Sequence, residues 1–331
     1  MKKKTLSLLL APVLAAGFLV GCSDTNDSGD AESTEPTQAT TEAQPEEVPV
    51  ERNYDGEIPE VGGEWGKSVE LKPSGAVEPN VVVAKTLIEG DGKEVGPDDV
   101  VAAHYHGTLW NGEVFDSTFE NAEEGKNSTP LLFSLNQVIQ GWKYGLAGQN
   151  VGDRVELVIP SEYGYGESGA SELIPGGATL VFVVDIVGAA DLSDTSALSE
   201  AELTSEKPPA GMAVEGPLGA KPTISFDHDA KSPEEPSVIV LAEGKGDAVE
   251  PTDAVVYHIT GADWGKGDEA QSSWDTEAAQ YSSQAVGDTP GFKGMKVGSR
   301  VLVLQPNPQN PDNAMAFVVD IVDSISLAPV E

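Results

Sequence analysis

A single cysteine, Cys22, stands in 331 residues, which excludes an intramolecular disulfide framework and any site built on several thiolates. Histidine is nearly as scarce. His104, His106, His228 and His258 are the whole set, none of them in an HExxH pattern, so no catalytic zinc and no other metal is expected. Basic residues are few: 19 Lys and Arg against 55 Asp and Glu leave a formal net charge of −36. A field of that sign repels phosphate backbones, so nucleic acid is not an expected partner. Aromatic residues make up 6% of the chain, while glycine numbers 36 and proline 23. That balance points to many turns and short strands rather than a helical bundle. At roughly 100–200 residues per domain, the length suggests two domains.

The N-terminus has a basic start, Lys2-Lys3-Lys4, and an apolar run from Leu6 to Val20. The run is short for a membrane span, which takes ~20 residues. It has the layout of a signal peptide over 1–21. The ending Leu19-Val20-Gly21-Cys22 resembles a bacterial lipobox. The resemblance implies lipidation (palmitate) at Cys22 and a location outside the cytoplasm, anchored to the bacterial cell membrane through lipid. More than one acyl chain, at ~0.8 kcal/mol per buried CH₂, anchors stably without a transmembrane helix. Residues 22–57 are acidic and rich in Thr, Pro, Ala and Gln, with Arg52 their one base. They read as a disordered, self-repelling tether.

Self-comparison finds an internal repeat. Phe182-Val183-Val184-Asp185-Ile186-Val187 recurs as Phe317-Val318-Val319-Asp320-Ile321-Val322. Val151-Gly152-Asp153-Arg154-Val155 recurs as Val297-Gly298-Ser299-Arg300-Val301, and His104, Gly107 and Trp110 recur as His258, Gly261 and Trp264. The lead-in around Val61 matches that around Val214. The order holds throughout, so two related domains are expected over 58–190 and 210–328. Residues 191–209 would join them, with room for a short helix around 197–203. Apolar runs over 81–88, 100–108, 154–159 and 180–187 read as strands. Val138, Trp142 and Leu146 lie about four apart and give 136–146 a helical cast, which Gly141 and Gly145 keep short. Strands with one helix near the middle suggest an α+β unit, an antiparallel sheet covering a short helix.

Five ordered motifs then carry a family resemblance over about 82–187. They are His104-Tyr105-His106-Gly107, Gly112-Glu113-Val114-Phe115-Asp116-Ser117-Thr118, and Val138-Ile139-Gln140-Gly141-Trp142. Ile159-Pro160-Ser161-Glu162-Tyr163-Gly164-Tyr165-Gly166 and Ala178-Thr179-Leu180-Val181-Phe182 follow. In these the chain resembles the FKBP-type peptidyl-prolyl cis-trans isomerases. The resemblance implies two tandem FKBP-like domains, each a twisted antiparallel sheet wrapped on a short helix, the second degenerate. It implies an enzyme that accelerates X–Pro rotation in exported proteins, without cofactor and without covalent chemistry. Tyr105, Phe115, Asp116 and Tyr165 would be the catalytic residues. Val138, Ile139, Trp142, Leu173, Ile174 and Phe182 would bind substrate, with Trp142 as the floor of an apolar cleft. Proline-containing polypeptides are the implied partners, and a macrolide is the implied small ligand.

The chain departs from the family pattern at the rim of this cleft. An extra stretch lies near 121–128, Phe119 and Glu120 replace a common arginine, Leu131 replaces a common aromatic, and Ala170 stands where some members place histidine. A peptide-binding chaperone with little isomerase activity is the competing expectation. In the second repeat Ile259 stands for Tyr105, Ala270 for Phe115 and Gln271 for Asp116, and Thr289-Pro290-Gly291-Phe292 replaces the Trp142 turn. This copy is expected to be non-catalytic. His104 and His106, two apart on a strand, share one face, where packing is the expected role.

Overall fold

The computed structural model describes residues 48–119, 129–276, 278–307, 309–310 and 314–328. The expected signal peptide, Cys22, the tether up to residue 47 and the extra stretch at 121–128 lie outside the described residues. Residues from Glu47 onward form one compact unit. No described helix is long and apolar enough to cross a membrane.

The first half runs β1 (Val50–Glu51), β2 (Glu60–Gly62), β3 (Glu70–Lys72), β4 (Val82–Ile88), β5 (Val100–Leu109), β6 (Val114–Ser117), β7 (Leu131–Ser134), α1 (Gln140–Leu146), β8 (Arg154–Ile159) and β9 (Leu180–Ala190). The second half runs α2 (Ser196–Ser199), β10 (Glu202–Leu203), β11 (Met212–Glu215), β12 (Thr223–Phe226), β13 (Ser237–Glu243), β14 (Asp253–Asp263), β15 (Gln271–Ser272), β16 (Gln280–Tyr281), β17 (Arg300–Gln305) and β18 (Met315–Ser326). The first seven-stranded sheet has the order β1-β4-β8-β9-β5-β6 with β7 also on β5. The second has the order β10-β13-β17-β18-β14-β15 with β16 also on β14. The two orders match strand for strand, although β1 joins β4 in parallel and β10 joins β13 antiparallel.

Alternation along each strand sorts side chains between two faces. On β8, Val155, Leu157 and Ile159 turn inward and pack with Leu180, Phe182, Val184 and Ile186 of β9 and with Trp142 and Leu146 of α1. A methyl group on Gly141 would stand 2.3 Å from Ile159 Cγ2, and one on Gly145 would stand 2.7 Å from Leu157 Cδ2. Only hydrogen at these two positions lets the helix lie this close to the sheet. On the other face of β8, Arg154 pairs with Asp185: Nε donates to Oδ1 at 2.6 Å and Nη2 to Oδ2 at 2.7 Å. The same pair holds the β2–β3 hairpin. Arg154 Nη2 donates to the Lys67 carbonyl at 3.0 Å, and the Gly66 N–H donates to Asp185 Oδ2 at 2.7 Å.

The second half repeats this clamp. Arg300 Nε donates to Asp320 Oδ1 at 2.6 Å and Nη2 to the Ala220 carbonyl at 2.7 Å, which holds the β11–β12 hairpin. Trp110 Nε1 donates to the Ala76 carbonyl at 3.2 Å, and Trp264 Nε1 to the Ala230 carbonyl at 3.1 Å. Each bond spans 34 residues, so the repeat extends to these lead-in segments.

Three expectations are corrected. The tether boundary at 57 is too late: Val50–Glu51 pairs in parallel with Val82–Val83, and Tyr54 and Ile58 pack on Val83 and Val158. The open edge of β4 recruits this segment despite its acidity. The joint at 191–209 is not a free linker: Glu202–Leu203 pairs with Ala242–Glu243 as the edge of the second sheet, and Leu198 of α2 is 1% exposed. The short helix lies at Ser196–Ser199, at the front of the expected range. Finally, only the first sheet wraps on a helix. Among the described residues the second half has a turn there. Gly291 and Gly294 take φ of 92° and 75°, beside Pro290, and Phe292 and Met295 pack where α1 would lie.

The two sheets meet at an apolar seam. Val100, Ala102 and Ala190 of the first half pack with Leu198, Ala254, Val256, Val322 and Ile325. At Gly188 an added methyl group would stand 2.5 Å from Ile325 Cγ2.

Beside Arg154, on the same outer face, Glu156 is 1% exposed, and its Oε1 has no hydrogen-bond partner among the described residues. Burial pushes its carboxyl from the ordinary 4.5 up to about 7, opposed in part by Lys85 across the strand. Below pH 4.5 the folded and unfolded chains both hold this proton. Between 4.5 and about 7 the unfolded chain releases it first, so stability falls as pH rises through that window. The loss amounts to about 3 kcal/mol at full ionisation, at 1.36 kcal/mol per unit. Glu156→Gln is therefore expected to match the parent near pH 4.5 and to exceed it in urea midpoint above pH 7. Parallel midpoints across the range would refute this.

Candidate functional site

The inner face of the first sheet and the start of α1 build the site. α1 begins at Gln140, four residues later than the pattern suggests. Ile139 is its N-cap residue, extended at φ −61° and ψ 150°. Ile139 thus precedes the helix in extended chain, Val138 lies in the bend before it, and both remain partly exposed against the core. The Trp142 N–H donates to the Ile139 carbonyl at 3.0 Å, which fixes the first turn and aims the indole at the sheet.

Trp142 is 4% exposed and stands among aromatic rings. Phe182 meets it edge-on at 5.3 Å and 89°, and Tyr105 at 5.7 Å and 85°. Phe115 meets Phe182 edge-on at 5.4 Å. These are the favoured edge-to-face arrangements of ring quadrupoles. They depend on a bare backbone at Gly107, where a methyl group would stand 2.6 Å from the Phe115 ring and 3.0 Å from Phe182.

Two polar groups meet at the edge of this cluster. The Tyr105 hydroxyl donates a short hydrogen bond to Asp116 Oδ2, while Asp116 Oδ1 accepts from the Ser117 N–H at 2.8 Å. Burial first, then this carboxylate, drive the Tyr105 hydroxyl above its ordinary value, so it remains a proton donor. Thr118 Oγ1 accepts from the Tyr105 N–H at 2.9 Å and ties the two strands behind the pair. His104 Nδ1 lies 3.3 Å from Thr118 Oγ1, and His106 Nδ1 lies 3.1 Å from Ser117 Oγ. Both imidazoles are buried on the outer face. Desolvation lowers the His104 value, with Asp185 opposing. Among the described residues no three His, Cys, Asp or Glu side chains could share a metal ion.

Eight of the residues singled out from the sequence thus fall together: Tyr105, Phe115, Val138, Ile139, Trp142, Ile174 and Phe182 in one apolar cluster, with Asp116 on its rim. Tyr165 is 41% exposed and stands immediately before the short helical turn at Gly166–Ser168. Leu173 is different. At 53% exposure it sits at the tip of a small loop whose Ala170 and Ser171 N–H groups both donate to the Ile174 carbonyl. That fold turns Ile174 in and Leu173 out.

One residue escapes the sequence reading. Phe133 places its ring 5.2 Å from Trp142 and 5.7 Å from Tyr105. Leu131, two positions earlier, holds the place where an aromatic is common, and it is 46% exposed. The aromatic partner of the floor stands two residues further along the same strand. Strand alternation was the available signal, because 131 and 133 share a face.

The second sheet keeps the frame of this region without its contents. His258 Nδ1 lies 3.1 Å from Ser273 Oγ, as His104 does with Thr118, and its ring stacks on Trp274 at 3.7 Å. Burial lowers the His258 value to about 4. Where the first half has rings and an acid, the second has Ile259, Ala270 and Gln271.

Comparison with known proteins follows this geometry. A family model described as FKBP-type peptidyl-prolyl cis-trans isomerase matches residues 92–187. FK506-binding protein 1 of Yarrowia lipolytica is 43% identical over 108 residues, covering 32% of this chain and 96% of the relative. FK506-binding protein 2B of Rhizopus delemar is 50% identical over 92 residues, covering 27% of this chain and 41% of the relative. A probable FKBP-type peptidyl-prolyl cis-trans isomerase of Haemophilus influenzae is 34% identical over 149 residues, covering 45% of this chain and 57% of that one. The chain thus spans about half the length of these last two relatives. With nearly the whole of the Yarrowia protein matched at this identity, the chain belongs to the FKBP-type peptidyl-prolyl cis-trans isomerase family.

Proposed function

We propose that the chain is a peptidyl-prolyl cis-trans isomerase whose first half turns X–Pro bonds in exported polypeptides. The observation that carries this reading is the buried Trp142 indole, ringed edge-on by Tyr105, Phe133 and Phe182, with the Tyr105–Asp116 pair at the rim.

Rotation about an X–Pro bond faces a barrier of roughly 18–20 kcal/mol and takes tens to hundreds of seconds unaided. The planar amide is polar because nitrogen conjugates with the carbonyl. Twisting breaks that conjugation and reduces the dipole. A water-poor apolar wall therefore disfavours the planar form more than the twisted one, which is differential binding of the transition state. No bond to the protein forms, so no nucleophile or metal is needed. The pyrrolidine ring rests on Trp142, between Phe115, Val138, Ile139 and Phe182. The Tyr165 hydroxyl and the Ile139 N–H hold the flanking carbonyls. Asp116 keeps Tyr105 upright and faces the rotating carbonyl. Ile174 closes the far side, and the exposed Leu173 meets substrate from the loop tip.

The second half is proposed to be an FKBP-like copy without a proline site. The matching strand order supports this, as does the loss of the rings and acid at 259, 270 and 271. The lipobox-like Leu19-Val20-Gly21-Cys22 supports a lipid anchor at Cys22 outside the cytoplasm of a bacterium. Macrolide binding would use the same apolar wall, with Leu131 and Ala170 altering its rim.

A proline-limited refolding assay on the chain from residue 48 onward tests the reading. Phe115→Ala is expected to lower kcat/KM about tenfold or more, since an aromatic contact and its buried area are lost. Tyr165→Phe removes one hydrogen bond and is expected to cost about threefold to tenfold. Unchanged rates in both variants would refute the mechanism. Suppressed aggregation without rate enhancement would favour a chaperone with little isomerase activity.

A further inference from the structure

Arg52 is the one base in the acidic stretch 22–57, and it lies well before residues 92–187, which match the family. The chain around it is docked. Val48 is 8% exposed, the Val82 N–H donates to the Pro49 carbonyl at 3.1 Å, and Val50 packs on the apolar cluster of the site. Two residues on, the Arg52 guanidinium reaches the end of α1. Its Nη1 donates to the Gly145 carbonyl at 3.3 Å, and Nη2 makes a short bond to the Ala147 carbonyl. Gln149, with its amide oxygen toward Nη1, accepts as well and donates to Asp153 Oδ2 at 2.9 Å. A cation thus stands at the negative end of the helix, on carbonyls that a helix terminus leaves without partners of its own.

The opposite end has no such hold: Ile139 makes no side-chain capping bond, and the first turn carries no acid. Along its length the helix meets β8 through Gly141 and Gly145, whose bare backbones lie against Ile159 and Leu157. Glycine has no side chain to key between those of the strand, so the place of this seven-residue helix depends strongly on how its end is held. Lys143 reaches Asp98 Oδ1 at 2.9 Å and Asn136 Oδ1 at 2.6 Å, but through its own side chain. Arg52 grips the backbone itself.

We propose that Arg52 is a positioning residue of the isomerase: by holding the Gly145 and Ala147 carbonyls it sets the place of α1, and with it the Trp142 indole on which the proline rests. The proposal rests on the isomerase reading and extends it to a residue outside the stretch that matches the family. Trp142 lies about one turn before Gly145 on the same short helix. Tyr105 and Phe182 meet its ring edge-on at 5.7 and 5.3 Å. Contacts of this kind weaken with small displacements, so a slight shift of the helix loosens the floor against its walls. The N-terminal lead-in is then part of the active half, and a chain cut at the start of the matched stretch lacks a hold on the cleft floor.

The test compares Arg52→Ala and Arg52→Lys with the parent, each as the chain from residue 48 onward and well below its melting temperature. Arg52 is exposed along its outer side, which makes both replacements compatible with folding. Turnover of an X–Pro tetrapeptide is measured with and without millimolar methylguanidinium, a stand-in for the missing side chain. The Trp142 indole N–H resonance, assigned by its loss in Trp142→Phe, reports on the floor directly. Arg52→Ala is expected to lower kcat/KM about threefold to tenfold, the size of a lost charge-assisted bond at a helix end. It is also expected to move the Trp142 resonance, and methylguanidinium to restore most of both. Trp110, on the outer face, should keep its resonance throughout. Lysine keeps the charge without the planar fork, so Arg52→Lys is expected about twofold below the parent. That variant carries the comparison if Arg52→Ala fails to fold. Parental kcat/KM in Arg52→Ala overturns the proposal, as does an unmoved Trp142 resonance. A loss that methylguanidinium leaves unchanged also overturns it, because that marks a general structural role. Absence of tetrapeptide turnover in the parent counts against the isomerase reading, while the Trp142 resonance still decides whether Arg52 holds the floor.

Discussion

Replacing Arg154 by methionine is expected to lower the free energy of unfolding by about 3–5 kcal/mol, the usual result of stripping one partner from a buried ion pair. The reason is geometric. The Asp185 side chain is 0% exposed and takes two hydrogen bonds from the guanidinium and one from the Gly66 N–H. Without Arg154 a carboxylate remains in a dry place with one donor. The β2–β3 hairpin also loses the bond to the Lys67 carbonyl. The double variant Arg154→Met/Asp185→Leu is expected to recover most of the loss, because it removes both charges together. Urea unfolding of the two variants makes the test. A single variant within about 1 kcal/mol of the parent would contradict the burial described, given the cost expected of such a change. Isomerase turnover well below the melting temperature should be nearly unchanged in the double variant. Arg154 lies on the outer face, whereas the aromatic cluster packs with Val155, Leu157 and Ile159 on the inner one.

Separating the halves is expected to have an effect of similar size. A fragment of residues 48–190 would bring Val100, Ala102 and Ala190 of the seam into water. Apolar area of this kind stabilises by about 25 cal/mol per Å² when covered, so the isolated half is expected to melt roughly 10 °C or more below the intact chain and to self-associate through the bared face. Light scattering and calorimetry of the fragment read both effects. Within the full chain, Ile325→Asp tests the same contact by placing a carboxylate against Gly188, at a cost of several kcal/mol. A monomeric fragment with an unshifted melting temperature would show that the seam is incidental. For the same reason, activity assays belong on the two halves together.

The edges of the strands were largely visible in the residues. Arg154–Ile159 occupies the range that the apolar pattern predicts, and Val82–Ile88 and Val100–Leu109 differ from it by one residue. Helix α1 was placed less well. Its spacing suggested a start at Asn136, but residues 136–138 form a turn and bend, and Ile139 is extended before the first helical turn. Propensity and period could not separate a helical residue from one that merely precedes the helix on the same apolar face.

What the amino-acid order determined by itself was the set of local alternations, the duplication, and the motifs that bring Tyr105, Phe115, Trp142 and Phe182 to one family pattern. Each is written within a short stretch, or in the comparison of two stretches, so it survives without coordinates. Only the tertiary structure decided which faces meet: Phe133 against Trp142, Leu173 turned out while Ile174 turns in, Val50–Glu51 taken up by the edge of β4, and two sheets joined along Val100, Ala102, Val322 and Ile325. Those outcomes depend on burial and pairing between residues far apart in the chain, and an alternating strand carries the same pattern whichever surface comes to cover it.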